Sequence, residues 1–160
     1  MAEADHDYLR RLPPEYYRGL ACVSWTYCIE GRRCGWLNEL FHARFREYLT
    51  HTMFRYSACC PIYCLMPDHF HLLWFGLSQT SDQRLATRYF RKHLNRELTS
   101  KGFSLQPQPY DHVLREDEHQ DTAFRNTAAY IARNPERKYL VPQDGFREYE
   151  YSDEFSYKNS

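Results

Sequence analysis

Three features of the chain predict an α+β domain built on an antiparallel sheet. Residues 21–29 alternate Val23, Trp25, Tyr27 and Ile29 with Cys22, Ser24, Thr26 and Cys28, the two-residue period of a half-buried strand. Residues 56–65 and the run from His69 to Phe75 are apolar and flank Met66-Pro67-Asp68, a turn that makes the two a hairpin. Other segments carry apolar residues at helical spacing instead. At 160 residues the chain fits one domain, large enough to bury a sizeable core.

In chain order, residues 1–19 are charged and contain Pro13-Pro14, which predicts a surface arm over 1–18. The strand at 21–29 follows. Residues 30–35 then read as a glycine-bounded turn, with Arg32 and Arg33 open to solvent or to phosphate. Asn38 is placed to cap a helix, with Glu39 in its first turn. Phe41, Phe45, Tyr48 and Leu49 give that helix an apolar stripe through about Phe54. Pro61 within the next strand implies an edge position or a bulge, because proline cannot donate to the ladder. After a polar loop a second helix is predicted over 82–100, with Leu85, Ala86, Tyr89, Phe90 and Leu94 toward the core. Residues 110–115 read as a short strand. Acidic Glu116, Asp117, Glu118 and Asp121 lead into a third helix striped by Phe124, Ala128 and Ile131. Asn134-Pro135 stops or kinks that helix. The remainder is tyrosine-rich and acidic, and residues 142–160 are expected to pack loosely as a tail.

Composition narrows the function classes. With 21 basic and 21 acidic residues the formal net charge is zero, so bulk charge does not point to a polyanion and local patches must carry any such argument. Aromatic residues make up 17% of the chain, enough for both a core and a stacking surface. The acidic, polar N-terminus resembles no secretory signal, which predicts a cytoplasmic protein whose six cysteines stay reduced. Cys59, Cys60 and Cys64 with a histidine pair could hold zinc, but no paired C-x-x-C motif supports it. No apolar run approaches the roughly 20 residues that span a bilayer.

Several residues are candidates for chemistry. Within a strand, His69 and His71 point to the same side, so two imidazoles project together as half of a metal site. Arg84, Arg88, Arg91, Lys92 and Asn95 share one side of the second helix. Four cations without an interleaved acid repel one another unless an anion comes to them, although a solvated face is the ordinary fate of such residues. Tyr130 lies roughly 100° round its helix from Ile131, off the apolar stripe, with Asn126 and Asn134 one turn to either side. His112 stands in the strand next to this set. It could assist a metal or accept a proton, or be structural.

Met66-Pro67-Asp68-His69-Phe70-His71, followed by Tyr130-Ile131-Ala132-Arg133-Asn134-Pro135 and Glu136 to Val141, resembles the REP-associated tyrosine transposases. These are the single-tyrosine branch of the HUH (His-hydrophobic-His) nucleases. The resemblance extends in order over residues 18–141, and the segment from Tyr110 to Arg115 shares it. It implies a ferredoxin-like antiparallel sheet with the histidine strand central and helices packed on it. It further implies that His69 and His71, with Asn134 as a polar third ligand, bind Mg²⁺ or Mn²⁺, and that Tyr130 attacks single-stranded or hairpin DNA.

A phenol, with pKa near 10, needs help to act as a nucleophile at neutral pH. Metal bound to a phosphate oxygen would supply it. The product would be a 5′-phosphotyrosine and a free 3′-OH. Arg84, Arg88, Arg91, Lys92, Arg115, Arg133, Arg137 and Lys138 are the cations expected to hold phosphates. The protein would work as a monomer or a homodimer. Two rivals follow from the same residues: a nucleic-acid-binding module that keeps the fold without cutting, and a zinc hydrolase using His69, His71 and a cysteine or His112.

Overall fold

The computed structural model describes residues 11–114 and 120–154. Five strands form one antiparallel sheet in the order β4 (Tyr110–Leu114), β1 (Cys22–Cys28), β3 (His69–Gly76), β2 (Ala58–Leu65) and β5 (Ser152–Glu154). The α+β class and the central place of the histidine strand are as expected. Helices α1 (Glu39–Tyr56) and α2 (Gln83–Thr99) pack on one face. Helix α3 (Gln120–Ala132) packs on the other, followed by the short α4 (Asn134–Arg137).

Alternation divides the two faces. From β1, Val23, Trp25 and Tyr27 join Phe70, Leu72 and Trp74 of β3 in the larger core under α1 and α2. Phe70 stacks on Tyr27 at 4.8 Å between ring centroids and meets the edge of Phe45 at 5.4 Å. The opposite parity, Cys22, Ile62, Cys64 and Leu73, packs under Ala128, Ile131 and Ala132 of α3. His69 and His71 share that second parity, so they lie on the α3 side of the sheet.

The helix starts follow their caps. Asn38 Oδ1 accepts from the Phe41 amide at 2.8 Å, and Asp82 accepts from the amides of Arg84 and Leu85. In α2, Ala86, Phe90, Leu94 and Leu98 are buried, but Leu85, expected in the core, is exposed. Gln83 is buried instead. Its amide oxygen accepts from the Trp25 indole N–H at 3.0 Å, a donor that a leucine would leave unpaired, and its amide nitrogen donates to the carbonyls of Ala21 and Trp74.

Four further expectations meet the structure here. Pro61 falls in the bulge, a register shift between Cys59 and Ile62, and just ahead of Ile62, where the pairing with β5 begins. The shift sends Cys60 to the α1/α2 core and Cys64 to the α3 core, so the three neighbouring cysteines cannot converge on one zinc. The stretch expected as a surface arm ends in a 3-10 turn, Pro14–Tyr17, that delivers Tyr17 fully into the core. The Tyr17 hydroxyl donates to Asp111 at 2.6 Å, tying the turn to β4. The expected tail contributes β5, and Tyr149 donates to the Leu65 carbonyl at 2.6 Å, so this part is sheet and not loose packing. Among the described residues no helix is long and apolar enough to cross a membrane.

Gly76 closes β3 against the loop before β1. A Cβ at this position would stand 1.7 Å from the Gly19 carbonyl oxygen, a backbone atom that cannot rotate away. Gly76 also donates to the Ala21 carbonyl at 2.9 Å, which holds the two segments at this spacing. Gly76→Ala is therefore expected to destabilise the fold by about 3 kcal/mol or more, read as a fall in the denaturant midpoint. An unchanged midpoint would mean that the Gly19 loop yields freely.

Candidate active site

The site assembles from β3, α3 and the turn after β1. His69 and His71 are 6% and 8% exposed, and their Nε2 atoms stand 3.1 Å apart with the rings nearly perpendicular. Each Nδ1 is held from behind. His69 Nδ1 meets Asp68 Oδ1 at 2.6 Å, and His71 Nδ1 meets Thr26 Oγ1 at 2.8 Å across the β1–β3 pairing. Asp68 is held in turn by Arg32 Nε at 2.9 Å, and the same guanidinium donates to the Cys28 sulfur.

Burial dominates the electrostatics of the pair. It pushes His71 down to about 3, with the neighbouring His69 and Arg137 acting in the same direction. Burial also lowers His69, against the opposing pull of Asp68, while Lys138 adds to the lowering. Asp68 would be raised by its own burial, yet hydrogen bonds and charge from His69 and Arg32 hold it below the usual carboxylate range. Near neutral pH the site is thus two neutral imidazoles backed by an ionised carboxylate.

Tyr130 reaches this pair from α3. Ile131 turns into the core, which leaves Tyr130 on the flank of the helix and 53% exposed. Its ring presents edge to face with His71, 6.0 Å between centroids. Helix α3 breaks at Arg133, as Asn134-Pro135 predicts, and Pro135 opens α4. The break brings Arg137 back onto Tyr130: its guanidinium lies 3.9 Å from the ring centroid and donates to the Tyr130 carbonyl. Asn134 is 3% exposed, and its amide nitrogen has no hydrogen-bond partner.

The donor set can be tested against a divalent cation. Two nitrogen ligands at ~2.1 Å subtending a right angle are separated by roughly 3.0 Å, close to the observed 3.1 Å. Both Nδ1 atoms carry partners of the kind that orient metal-bound histidines. The pair fits as two adjacent ligands. Among the described residues no cluster of three His, Cys, Asp or Glu side chains could hold a metal, so a third ligand drawn from them would be another donor, such as an amide.

The remaining candidates lie as follows. His112 is exposed on β4, opposite Ser24 of β1, two strands away from β3. At ~4.8 Å per strand that is about 10 Å, too far for it to join the pair directly. Arg84, Arg88, Arg91 and Lys92 sit on α2, so the sheet stands between them and the histidines. Arg88 and Lys92 are exposed, whereas Arg91 is half-buried and donates to the Gln106 carbonyl at 2.6 Å, fastening a loop. Arg133 pairs with Glu136 and Asp144 and covers Phe146, so its charge is already partnered within the protein. Arg115 lies outside the described residues. Sequence reasoning missed Thr26, Asp68 and Arg32. Asp68 reads as turn chemistry, although its place directly before His69 was a signal. Thr26 and Arg32 become visible only with the strand register.

No protein-family model matches the chain, and no curated protein matches it. Among solved structures, a candidate transposase of Deinococcus radiodurans superposes with a TM-score of 0.48 at 14% identity, over 81% of this chain and 98% of that one. The REP-associated tyrosine transposase, solved bound to a REP hairpin, superposes with a TM-score of 0.72 at 20% identity, over 95% of this chain and 82% of that one. The chain has the α+β fold of that REP-associated tyrosine transposase.

Proposed function

We propose that the protein is a metal-dependent single-stranded DNA endonuclease and strand transferase that works through a 5′-phosphotyrosine. The observation that carries this reading is the half-exposed Tyr130 ring standing edge-on to His71, beside two neutral, back-braced imidazoles whose Nε2 atoms are at cis-ligand spacing. His69 and His71 would hold Mg²⁺ or Mn²⁺, with Asn134 the candidate for a third ligand. The bound cation would neutralise charge on the scissile phosphate. The resemblance of the motifs and the hairpin held by the structural neighbour support a hairpin-bearing strand as substrate.

The chain's own residues account for the rest. Arg137 fixes the Tyr130 ring and places a positive charge beside its face, and Lys138 adds a second cation near His69. Tyr130 oxygen attacks phosphorus in line. The new bond is tyrosine O–P, the bond broken is P–O3′, and the phenol proton is balanced by protonation of the departing 3′ oxygen. Attack by a second 3′-OH reverses the exchange and releases tyrosine, so strands are joined without ATP.

The test is incubation with end-labelled hairpin oligonucleotides and Mn²⁺, followed by denaturing electrophoresis. A covalent band that retains the 3′-labelled fragment and releases the 5′-labelled one is expected. Binding without any covalent band would leave only a non-catalytic module on this fold.

The layering of the fold adds a second expectation. Because α2 lies across the sheet from Tyr130, Arg88→Ala and Lys92→Ala should leave adduct formation on a short single strand within about twofold. Arg137→Ala, which frees the Tyr130 ring, should lower it by at least about tenfold. Equal losses at all three positions would show that the substrate reaches round the sheet to α2.

A further inference from the structure

The hydrogen-bond chain through the histidines fixes where its protons lie. Asp68, ionised and paired with Arg32, can only accept, so the proton of neutral His69 is on Nδ1 and its Nε2 offers a lone pair. The 3.1 Å contact to His71 Nε2 is a hydrogen bond only if His71 carries its proton there. His71 Nδ1 is then an acceptor, and the Thr26 hydroxyl at 2.8 Å must donate to it. Every group in the run Arg32–Asp68–His69–His71–Thr26 is satisfied in one direction only.

A cation at the two Nε2 atoms demands the opposite state of His71. The Nε2 proton must leave, and neutral His71 must carry a proton on Nδ1 instead. A partner that only donates would oppose this, and one that only accepts would leave the empty pair repelling. A hydroxyl does both.

We infer that Thr26 is a positioning residue whose hydroxyl reverses its hydrogen bond to His71 when a divalent cation enters, carrying the pair between two neutral tautomers. One proton passes from His71 Nε2 to solvent and another from solvent to Nδ1. The charge on the imidazole does not change. The inference rests on the histidine pair being the metal site of the proposed enzyme. It assigns to Thr26 a role that the strand register creates, since Thr26 is the β1 residue directly opposite His71.

The test uses the full chain with ¹⁵N-labelled histidine and Zn²⁺ as a diamagnetic nitrogen-binding probe. In metal-free protein His71 is expected as the Nε2–H tautomer and His69 as Nδ1–H. With Zn²⁺, His71 converts to Nδ1–H and His69 keeps its proton. Thr26→Val, which retains the β-branched shape but neither donates nor accepts, should weaken Zn²⁺ binding by ~10–100-fold. Thr26→Ser should restore it to within about threefold.

His71 found as Nδ1–H before Zn²⁺ is added would overturn the inference, as would unchanged affinity in Thr26→Val. If neither histidine resonance moves with Zn²⁺ in the wild-type protein, the metal-site reading itself falls, and the role of Thr26 with it. Moved resonances with equal affinities in wild type and Thr26→Val sink the role of Thr26 alone.

Discussion

Tyr130→Phe should abolish the covalent protein–DNA band, a loss of at least about 10³-fold, while DNA affinity stays within about twofold. The substitution removes one oxygen and nothing else that the fold uses. The ring keeps its edge contact with His71 and stays under the Arg137 guanidinium, because both contacts are made by the ring and not by the hydroxyl. Tyr130 is 53% exposed on the flank of α3, so the change should move stability by less than about 0.5 kcal/mol. A separate measurement of binding, by fluorescence anisotropy with the same oligonucleotide, distinguishes loss of the nucleophile from loss of the complex. An adduct that persists in Tyr130→Phe would assign the nucleophile elsewhere, and the exposed Tyr139 nearby in the chain would be the next residue to change.

The residues whose local chemistry sets their structure were legible in the sequence. The period of Val23, Trp25 and Tyr27 gave a strand because one face of that strand is dry, and Asn38 gave a helix start because its side chain caps a free amide. The parity of His69 and His71 placed both on one face, and the angular offset of Tyr130 from Ile131 placed it outside the core. What was not legible depends on partners far along the chain. Leu85 looks like a core residue until the buried Trp25 indole N–H is seen to need the amide of Gln83. Tyr17, in a charged and proline-containing stretch, is buried because Trp25 and Asp111 receive it. The basic stripe of α2 gave no sign of which sheet face it would cover, and that choice decides whether Arg88 and Lys92 share a surface with Tyr130. Thr26 and Arg32 join the site through pairing register and a turn, neither of which has a local sequence signal.

His69→Ala should reduce adduct formation by at least about 10²-fold and remove its dependence on added Mn²⁺, the largest effect expected from any residue other than Tyr130. Two neutral nitrogens 3.1 Å apart would hold a cation as a pair and one alone would not, so His71→Ala should act in the same way. The variant is not silent structurally. It takes from His71 the acceptor of its Nε2 proton, a buried donor whose loss of a partner costs about 1–3 kcal/mol. Asp68 retains Arg32, so the carboxylate does not become an unpaired charge. Thermal unfolding without metal therefore has to accompany the assay. A folded His69→Ala that binds DNA and fails to react assigns the loss to the site.

His112→Ala supplies the comparison, because it removes an imidazole from the same face of the sheet but two strands away. It should leave both the adduct and its Mn²⁺ requirement unchanged. A loss in His112→Ala equal to that in His69→Ala would mean that the reacting phosphate sits over β1 and β4, and the pair at β3 would no longer be its centre.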